Sequence, residues 1–399
     1  MSETPWLSII GLGEDGPEGL SPASRNALEA AEIIMGPQRH LDLLGRIEAK
    51  AITWPVPFSD GVEKLLSFRG RNVAMLVSGD PFWFGAGSTI EKHLEPFEWT
   101  AHPNVSTFSL AASRLGWSLQ DTTCLGLHAA PVQALRASLA NGQKAIVLLR
   151  DGAAVTTLAN YLKEQGFGET RIHILEALNG TRERMRSVLA SDVMPDDIQH
   201  PVCLGVEISG TGDSLPLSSG RPDSWFEHDG QITKQPVRAI TLSALAPTAG
   251  EYLWDIGGGS GSISVEWCLS HPKNRATVIE TRADRADRIQ QNARKFGLSG
   301  IRVVQTKAPE GLADLDLPDA VFIGGGLSDD LLETLTQHLP AKTRIVANSV
   351  TLESDALLTR WQEKLGGDLI RLELSSLSRI GPRRGWKAAY PLVQWSVKL

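Results

Sequence analysis

The chain has 399 residues, with 42% hydrophobic and 21% charged side chains, a balance that folds into globular domains and excludes disorder as the main state. Its 22 prolines and 38 glycines follow no triplet period, which excludes a collagen-like rod. The net charge of −7 has the wrong sign for a general nucleic-acid coat, although a local group of arginines can still hold a small anion.

This length suggests two or three domains of about 100–200 residues each. At the start, Met1–Pro5 is polar without Lys or Arg, and the apolar run Trp6–Leu12 is short and interrupted by a serine. The expectation is a first buried strand, neither a signal peptide nor a membrane span, in a cytoplasmic protein. Strands are expected at Leu7–Leu12, Asn72–Val77, Ala145–Leu149 and Arg171–Glu176, with helices at Ser24–Ala31, Ser88–Lys92, Ser109–Leu115 and Ala154–Gln165. The stretch Ser209–Gly230 is rich in Gly, Ser, Pro and Asp, lacks either period, and reads as a linker between domains at 1–208 and 231–399. Beyond it, strands are expected at Tyr252–Ile256, Ala276–Glu280, Arg302–Thr306, Ala320–Ile323 and Arg344–Asn348. Two more fall near Leu369–Leu374 and Leu392–Val397. Helices are expected at Ser262–Ser270, Arg282–Phe296, Asp329–Leu339 and Thr351–Leu365. Alternating strands and helices in both halves predict two different α/β domains.

Cys124, Cys203 and Cys268 are far apart, and the nine histidines show neither HxxH nor HExxH spacing, so no disulfide framework or metal site is expected. The strongest local signal is Tyr252-Leu-Trp-Asp-Ile-Gly-Gly-Gly-Ser-Gly-Ser262, in which Asp255 closes a strand and Gly257, Gly258, Gly259 and Gly261 lead into a helix. Glycines let the backbone turn tightly and approach a ligand, and the helix start offers unpaired N–H groups. Ser262 fits poorly as the third residue of a dinucleotide fingerprint, which argues against a nicotinamide-dependent reductase. Glu280 stands nineteen residues beyond Gly261 at the end of the next strand. A carboxylate there either accepts ribose hydroxyls or is a solvated strand end.

This pattern resembles the class I S-adenosylmethionine-dependent methyltransferases. The resemblance implies that Glu280 holds the ribose, that the GxGxG loop lies beneath the methionine portion, and that Ala308, in Thr306-Lys-Ala-Pro-Glu-Gly311, touches adenine. Pro318-Asp-Ala-Val-Phe-Ile-Gly-Gly-Gly326 then places Gly324 and Gly325 beside the substrate. The opening Ile232-Thr-Lys-Gln-Pro-Val-Arg-Ala-Ile-Thr-Leu242 narrows the match over residues 231–399 to the decarboxylating precorrin C-15 methyltransferases. In that family Thr233 lies against the donor, although a Thr there equally suits a helix N-cap.

In the first half, Leu7-Ser-Ile-Ile-Gly-Leu-Gly-Glu-Asp-Gly-Pro-Glu-Gly-Leu-Ser21 is a strand and a glycine-rich turn, and alone it could be any phosphate loop or tight turn. With Ser78-Gly-Asp-Pro81 and His102-Pro-Asn-Val-Ser-Thr-Phe-Ser-Leu-Ala-Ala-Ser-Arg-Leu-Gly116 it resembles the tetrapyrrole methylase family, in the branch acting on carbon 5 of a corrin precursor. Glu14 and Asp15 replace the Pro and Gly of the usual first motif. The resemblance covers about residues 6–208 and implies a cleft between two α/β subdomains that holds the donor by Gly11, Gly13, Gly79, Asp80, Gly85, Ser106 and Thr107. The turns at Leu149–Arg150 and Ala177–Leu178 are implied to reach the adenine.

Carbon-5-type and carbon-15-type domains in this order resemble the two-domain methyltransferases of cobalamin biosynthesis. That implies two S-adenosyl-L-methionine sites, one per domain, a tetrapyrrole substrate methylated at carbons 5 and 15, and loss of carbon dioxide from its ring-C acetate. Relatives of the first domain are dimers and of the second tetramers, so a homo-oligomer is expected, with no nucleic acid or membrane partner. An RNA or protein methyltransferase on the same folds is the alternative. Methyl transfer from a sulfonium asks the protein mainly to align the reactants and exclude water, so no catalytic side chain is singled out. The basic stretch Ser378–Lys387 offers Arg379, Arg383 and Arg384 to substrate carboxylates; an exposed loop or an oligomer contact is the other reading. Arg238 and Lys307 are weaker candidates.

Overall fold

The computed structural model describes residues 5–46 and 48–399. The chain divides into two compact units, one made of Met1–Val132 and Ser138–Ser214, the other of Gln133–Ala137 and Leu215–Leu399.

The first unit contains two five-stranded sheets. One runs in the order Lys50–Thr53, Ile33–Gly36, Val73–Ser78, Leu7–Leu12, Trp99–His102, and every pairing in it is parallel. Val73–Val77 is buried throughout, as an unbroken apolar run in a covered parallel sheet should be. The other runs Thr123–Gly126, Lys144–Leu148, Val202–Glu207, Arg171–Glu176, Arg184–Leu189, and only its first pair is parallel. Helix Gly152–Glu164 packs Val155, Leu158, Ala159 and Leu162 inward, and the Asp151 side chain caps it by accepting from the Ala154 N–H at 3.0 Å.

The second unit holds a seven-stranded sheet ordered Ile301–Val304, Arg275–Ile279, Tyr252–Ile256, Ala320–Ile323, Arg344–Ser349, Leu392–Lys398, Asp368–Leu372. The first five strands are parallel, and Leu392–Lys398 runs antiparallel to both its neighbours, so that Asp368–Leu372 again runs with the first five. The order turns back at Tyr252–Ile256, which places that strand's carboxyl end at a crevice of the kind in which open α/β sheets bind ligands. Trp254, Trp361 and Trp395 fill one face of the sheet with Leu331, Leu332, Leu335 and Leu358. Trp267 fills the other with Leu242, Leu245 and Phe322.

The α/β expectation holds for both units, and most long elements lie within a residue or two of their expected limits. The exceptions are strands Ile33–Gly36, Lys50–Thr53, Trp99–His102, Thr123–Gly126, Arg184–Leu189 and Val202–Glu207, and helices Gln38–Leu44, Phe58–Leu66 and Gln235–Leu245. Most of these strands are only four residues long, too short for a period to register. The basic stretch near the C-terminus is a two-stranded hairpin, Ser375–Ile380 with Arg383–Ala388. The Ser209–Gly230 stretch straddles the division at 214/215, and Arg221 and Phe226 within it are buried in the second unit.

Candidate active sites

In the first unit, three chain segments meet at the carboxyl ends of the parallel strands. Gly79 donates its N–H to the Leu12 carbonyl at 3.1 Å, and its own carbonyl accepts the Asn104 N–H at 3.1 Å. Gly11 permits this: a Cβ there would lie 1.8 Å from the Gly79 carbonyl oxygen. Gly13 makes room differently, since its Cβ would press on the Asp15 carboxylate at 2.4 Å. Gly85 closes a turn so tight that a Cβ would meet the Pro81 carbonyl at 2.4 Å. The Asp80 carboxylate accepts the Phe82 N–H at 2.8 Å, which fixes that turn. Ser106 caps helix Thr107–Leu115, accepting the Ser109 N–H at 3.1 Å.

These segments enclose a cavity of about 440 Å³, in the size range of a small-molecule site. Gly13, Gly79, Asp80, Gly85, Ser106 and Thr107 all line it, as do Leu149, Arg150 and Leu178. Gly11 and the buried Ala177, whose φ is +45°, do not line it: Gly11 backs onto the lining Gly79, and Ala177 donates its N–H to the carbonyl of the lining Pro201 at 2.9 Å. Trp83 and Phe84 form an aromatic side, packed on Phe108 with ring centroids 4.8 and 5.7 Å away.

The cavity also gathers Glu14 of the first motif and residues that no motif pointed to: Arg39, His40, His128 and His200. Glu14 touches Arg39 and lies 3.5 Å from Arg182, while Asp15 accepts the Asn179 side-chain N–H at 2.6 Å. The two acids that replace Pro and Gly in the motif therefore clasp the loop to the 177–182 turn. Burial, reinforced by Arg39 and His200, drives the His40 pKa down to about 3, and burial also lowers that of His200.

In the second unit, Gly257 and Gly258 donate to the Ile279 carbonyl at 2.9 and 3.3 Å, and Gly324 and Gly325 donate to the Ile256 carbonyl at 2.9 and 3.3 Å. The two glycine turns meet back to back: a Cβ on Gly257 would be 2.7 Å from the Gly325 backbone. Gly258 faces Val278 and Gly261 faces Ile289, each too close for a side chain. Gly259 differs, with nothing nearer than 3.7 Å to its missing Cβ, so the open side of the loop is there. Its N–H donates to Glu280 at 3.0 Å, and the other Glu280 oxygen accepts the Arg282 N–H at 3.0 Å. Asp255 is fully buried and accepts from the Ser264 hydroxyl at 2.7 Å, but its second oxygen has no partner. Burial pushes its pKa up to about 6, against the pull of Ser264.

Ala308 packs at the edge of the core beside this sheet. The Thr233 carbonyl accepts from the Arg238 guanidinium, and the N-cap of the following helix is Lys234, so Thr233 does not cap it. Arg238, expected to reach a substrate carboxylate, is instead wholly buried, bound to Glu266 at 2.7 Å and Asp223 at 3.2 Å and stacked on Phe226, so it cannot meet one. Arg379, Arg383 and Arg384 are exposed on the C-terminal hairpin, with Arg379 opposite Arg384. That hairpin pairs with no strand of the seven-stranded sheet.

Residues 7–193 match the family model for tetrapyrrole (corrin/porphyrin) methylases, and residues 224–399 match that for a precorrin methyltransferase domain. A precorrin-6Y C(5,15)-methyltransferase (decarboxylating) of Sinorhizobium sp. is 45% identical, covering 98% of this chain and 96% of its own. The chain belongs to the decarboxylating precorrin C(5,15)-methyltransferase family. The member from Mycobacterium tuberculosis (strain CDC 1551 / Oshkosh) is 38% identical over 98% of this chain and 99% of its own. Among solved structures, the C-terminal domain of precorrin-6Y C5,15-methyltransferase from Rhodobacter capsulatus is 55% identical, covering 46% of this chain and all of that one, at a TM-score of 0.45. As a C(5,15)-methyltransferase family member the chain is a methyltransferase enzyme, and the family's methyl donor is S-adenosylmethionine. Among the described residues, no helix is long and apolar enough to cross a membrane.

Proposed function

We propose that each unit holds its own molecule of S-adenosyl-L-methionine, the first to methylate carbon 5 of a corrin precursor and the second to methylate carbon 15. The second also removes carbon dioxide from the ring-C acetate, so that the chain converts precorrin-6B to precorrin-8 in cobalamin biosynthesis. The observation that carries this reading is the duplication of a particular device: in each unit, strand-end glycine turns back onto a second glycine turn beside a carboxylate.

The residues present fit such a donor. In the second unit the partnerless oxygen of Asp255 is an acceptor suited to a cationic amino-acid portion. Glu280 lies beside the open Gly259, and the start of helix Ser262–Ser270 carries no side-chain cap. Thr233, Gly257, Gly258, Gly261 and Ala308 complete that wall, with Gly324 and Gly325 facing the substrate. In the first unit Gly13, Gly79, Asp80, Gly85, Ser106 and Thr107 hold the donor, shaped by Gly11 and Ala177, and Trp83 and Phe84 offer a flat apolar side to the macrocycle. The donor supplies an electrophilic methyl group. The protein's residues bind it, orient it and keep water from it. Arg379, Arg383 and Arg384 meet macrocycle carboxylates away from the acetate that is lost, because a tight guanidinium clamp on that acetate would oppose its departure. The working form is a cytoplasmic homo-oligomer with no nucleic-acid partner.

The test uses the full chain with precorrin-6B and the donor, read by mass spectrometry and carbon-13 labelling. Two methyl groups gained and one carbon dioxide lost are expected. Gly11→Val should abolish the carbon-5 methyl alone, and Glu280→Ala the carbon-15 methyl alone. Loss of both methyls in either variant, or an unaltered substrate with the wild-type chain, contradicts the assignment.

A further inference from the structure

We propose that Arg39 is a carboxylate-reading residue of the first unit's cavity. The inference deepens the two-site reading and rests on it. Arg39 is the second residue of the short helix Gln38–Leu44, after strand Ile33–Gly36 and outside every glycine motif. Three neighbours in the cavity wall fix its planar head: it touches the Glu14 carboxylate, donates to the Ser78 hydroxyl at 3.1 Å, and lies 2.8 Å from Nε2 of His40. His40 is held neutral by burial, so that nitrogen can accept from the guanidinium.

Held this way, the side chain still keeps 26% of its surface accessible. Glu14 does not spend its charge on Arg39 alone, because Arg182 shares the same carboxylate at 3.5 Å. Burial, with the nearby Arg182, lowers the Arg39 pKa to about 10. Of the other charged groups on the wall, Arg150 pairs with its neighbour Asp151 at 3.0 Å with most of its side chain exposed, and Asp80 accepts the Phe82 N–H. With both Nη2 hydrogens taken by Ser78 and His40 and Nη1 on Glu14, the guanidinium is pre-oriented, and its remaining Nε and Nη1 hydrogens suit a single charge-assisted contact to a carboxylate. Two sources present that chemistry, the amino-acid end of the donor and an acetate or propionate of the macrocycle.

The experiment compares Arg39→Gln and Arg39→Lys with the wild type in the full chain. Carbon-15 methylation in the same molecules reports that each variant is folded. Calorimetry measures S-adenosylhomocysteine and 5′-methylthioadenosine, which lacks the carboxylate; kinetics measure carbon-5 methylation against macrocycle concentration. If the donor is read, Arg39→Gln weakens S-adenosylhomocysteine at one site by about tenfold or more and leaves methylthioadenosine unmoved. If the macrocycle is read, its KM for carbon-5 methylation rises by about tenfold or more while S-adenosylhomocysteine binding holds. In either case Arg39→Lys recovers part of the loss, because it keeps the charge and lacks the fork. Changes under about twofold in both, or a fall in kcat alone, overturn the proposal. A wild-type chain that makes no carbon-5 product would instead sink the two-site reading beneath it.

Discussion

Asp255 carries a carboxyl group on a wholly buried strand, with one oxygen bound to Ser264 and the other bound to nothing. Its pKa of about 6 stands above the ordinary 3.8, so the folded chain keeps a proton that the unfolded chain has released. The resulting stability is fully present below about pH 4 and is lost as pH rises through about 6. The difference amounts to roughly 3 kcal/mol. Asp255→Asn should therefore flatten the rise in denaturant midpoint on going from neutral to acid pH, while weakening donor binding in the second unit. Denaturant titrations across that range check it. The loop glycines offer a paired test. Gly257 has a φ of +72° and its Cβ would strike the Gly325 backbone, so Gly257→Ala should cost more than about 2 kcal/mol and carbon-15 methylation with it. Gly259 has a φ of +59° but open space, so Gly259→Ala should cost only about 1–2 kcal/mol and act through the donor. Thermal unfolding and donor calorimetry separate the two. These glycines were legible in the sequence because each serves its own few neighbours. Arg39, His40 and His200 were not, because they meet only after the chain has crossed between strands.

The C-terminal hairpin is the element whose role depends least on packing. Its Arg379, Arg383, Arg384 and Trp386 are exposed and it joins no larger sheet. Arg383→Ala with Arg384→Ala should leave unfolding within about 0.5 kcal/mol of wild type and raise the macrocycle KM for the carbon-15 step. Unchanged kinetics would leave these residues an exposed loop or a self-association contact. At the opposite extreme, Trp395 lies on an antiparallel strand at 0% exposure, and Trp395→Ala should cost about 3–5 kcal/mol in denaturant unfolding. Sequence reading placed a strand at Leu392–Val397, where Val393, Trp395 and Val397 alternate with polar residues. It did not mark the hairpin, where a charged run conceals the pairing of Ile380 with Arg383. Elements that bury a face advertise themselves by period, and elements that bury nothing do not.

For the whole molecule, two units with separate glycine turns predict two S-adenosylhomocysteine equivalents per chain by calorimetry, falling to one in Gly11→Val. A single equivalent in the wild type would oppose one donor per unit. The amino-acid order alone determined the α/β class, the long strands and the glycine turns that follow them, since strand periodicity and backbone freedom are properties of consecutive residues. Tertiary structure alone decided that Arg238 is a buried structural cation and that Arg39 is an accessible one. It also decided that the acids at 14 and 15 clasp a turn more than 160 residues further along the chain. An arginine reads the same in either setting; whether it pairs with Glu266 in a core or with Glu14 at a cavity wall depends on which distant carboxylates folding brings within reach.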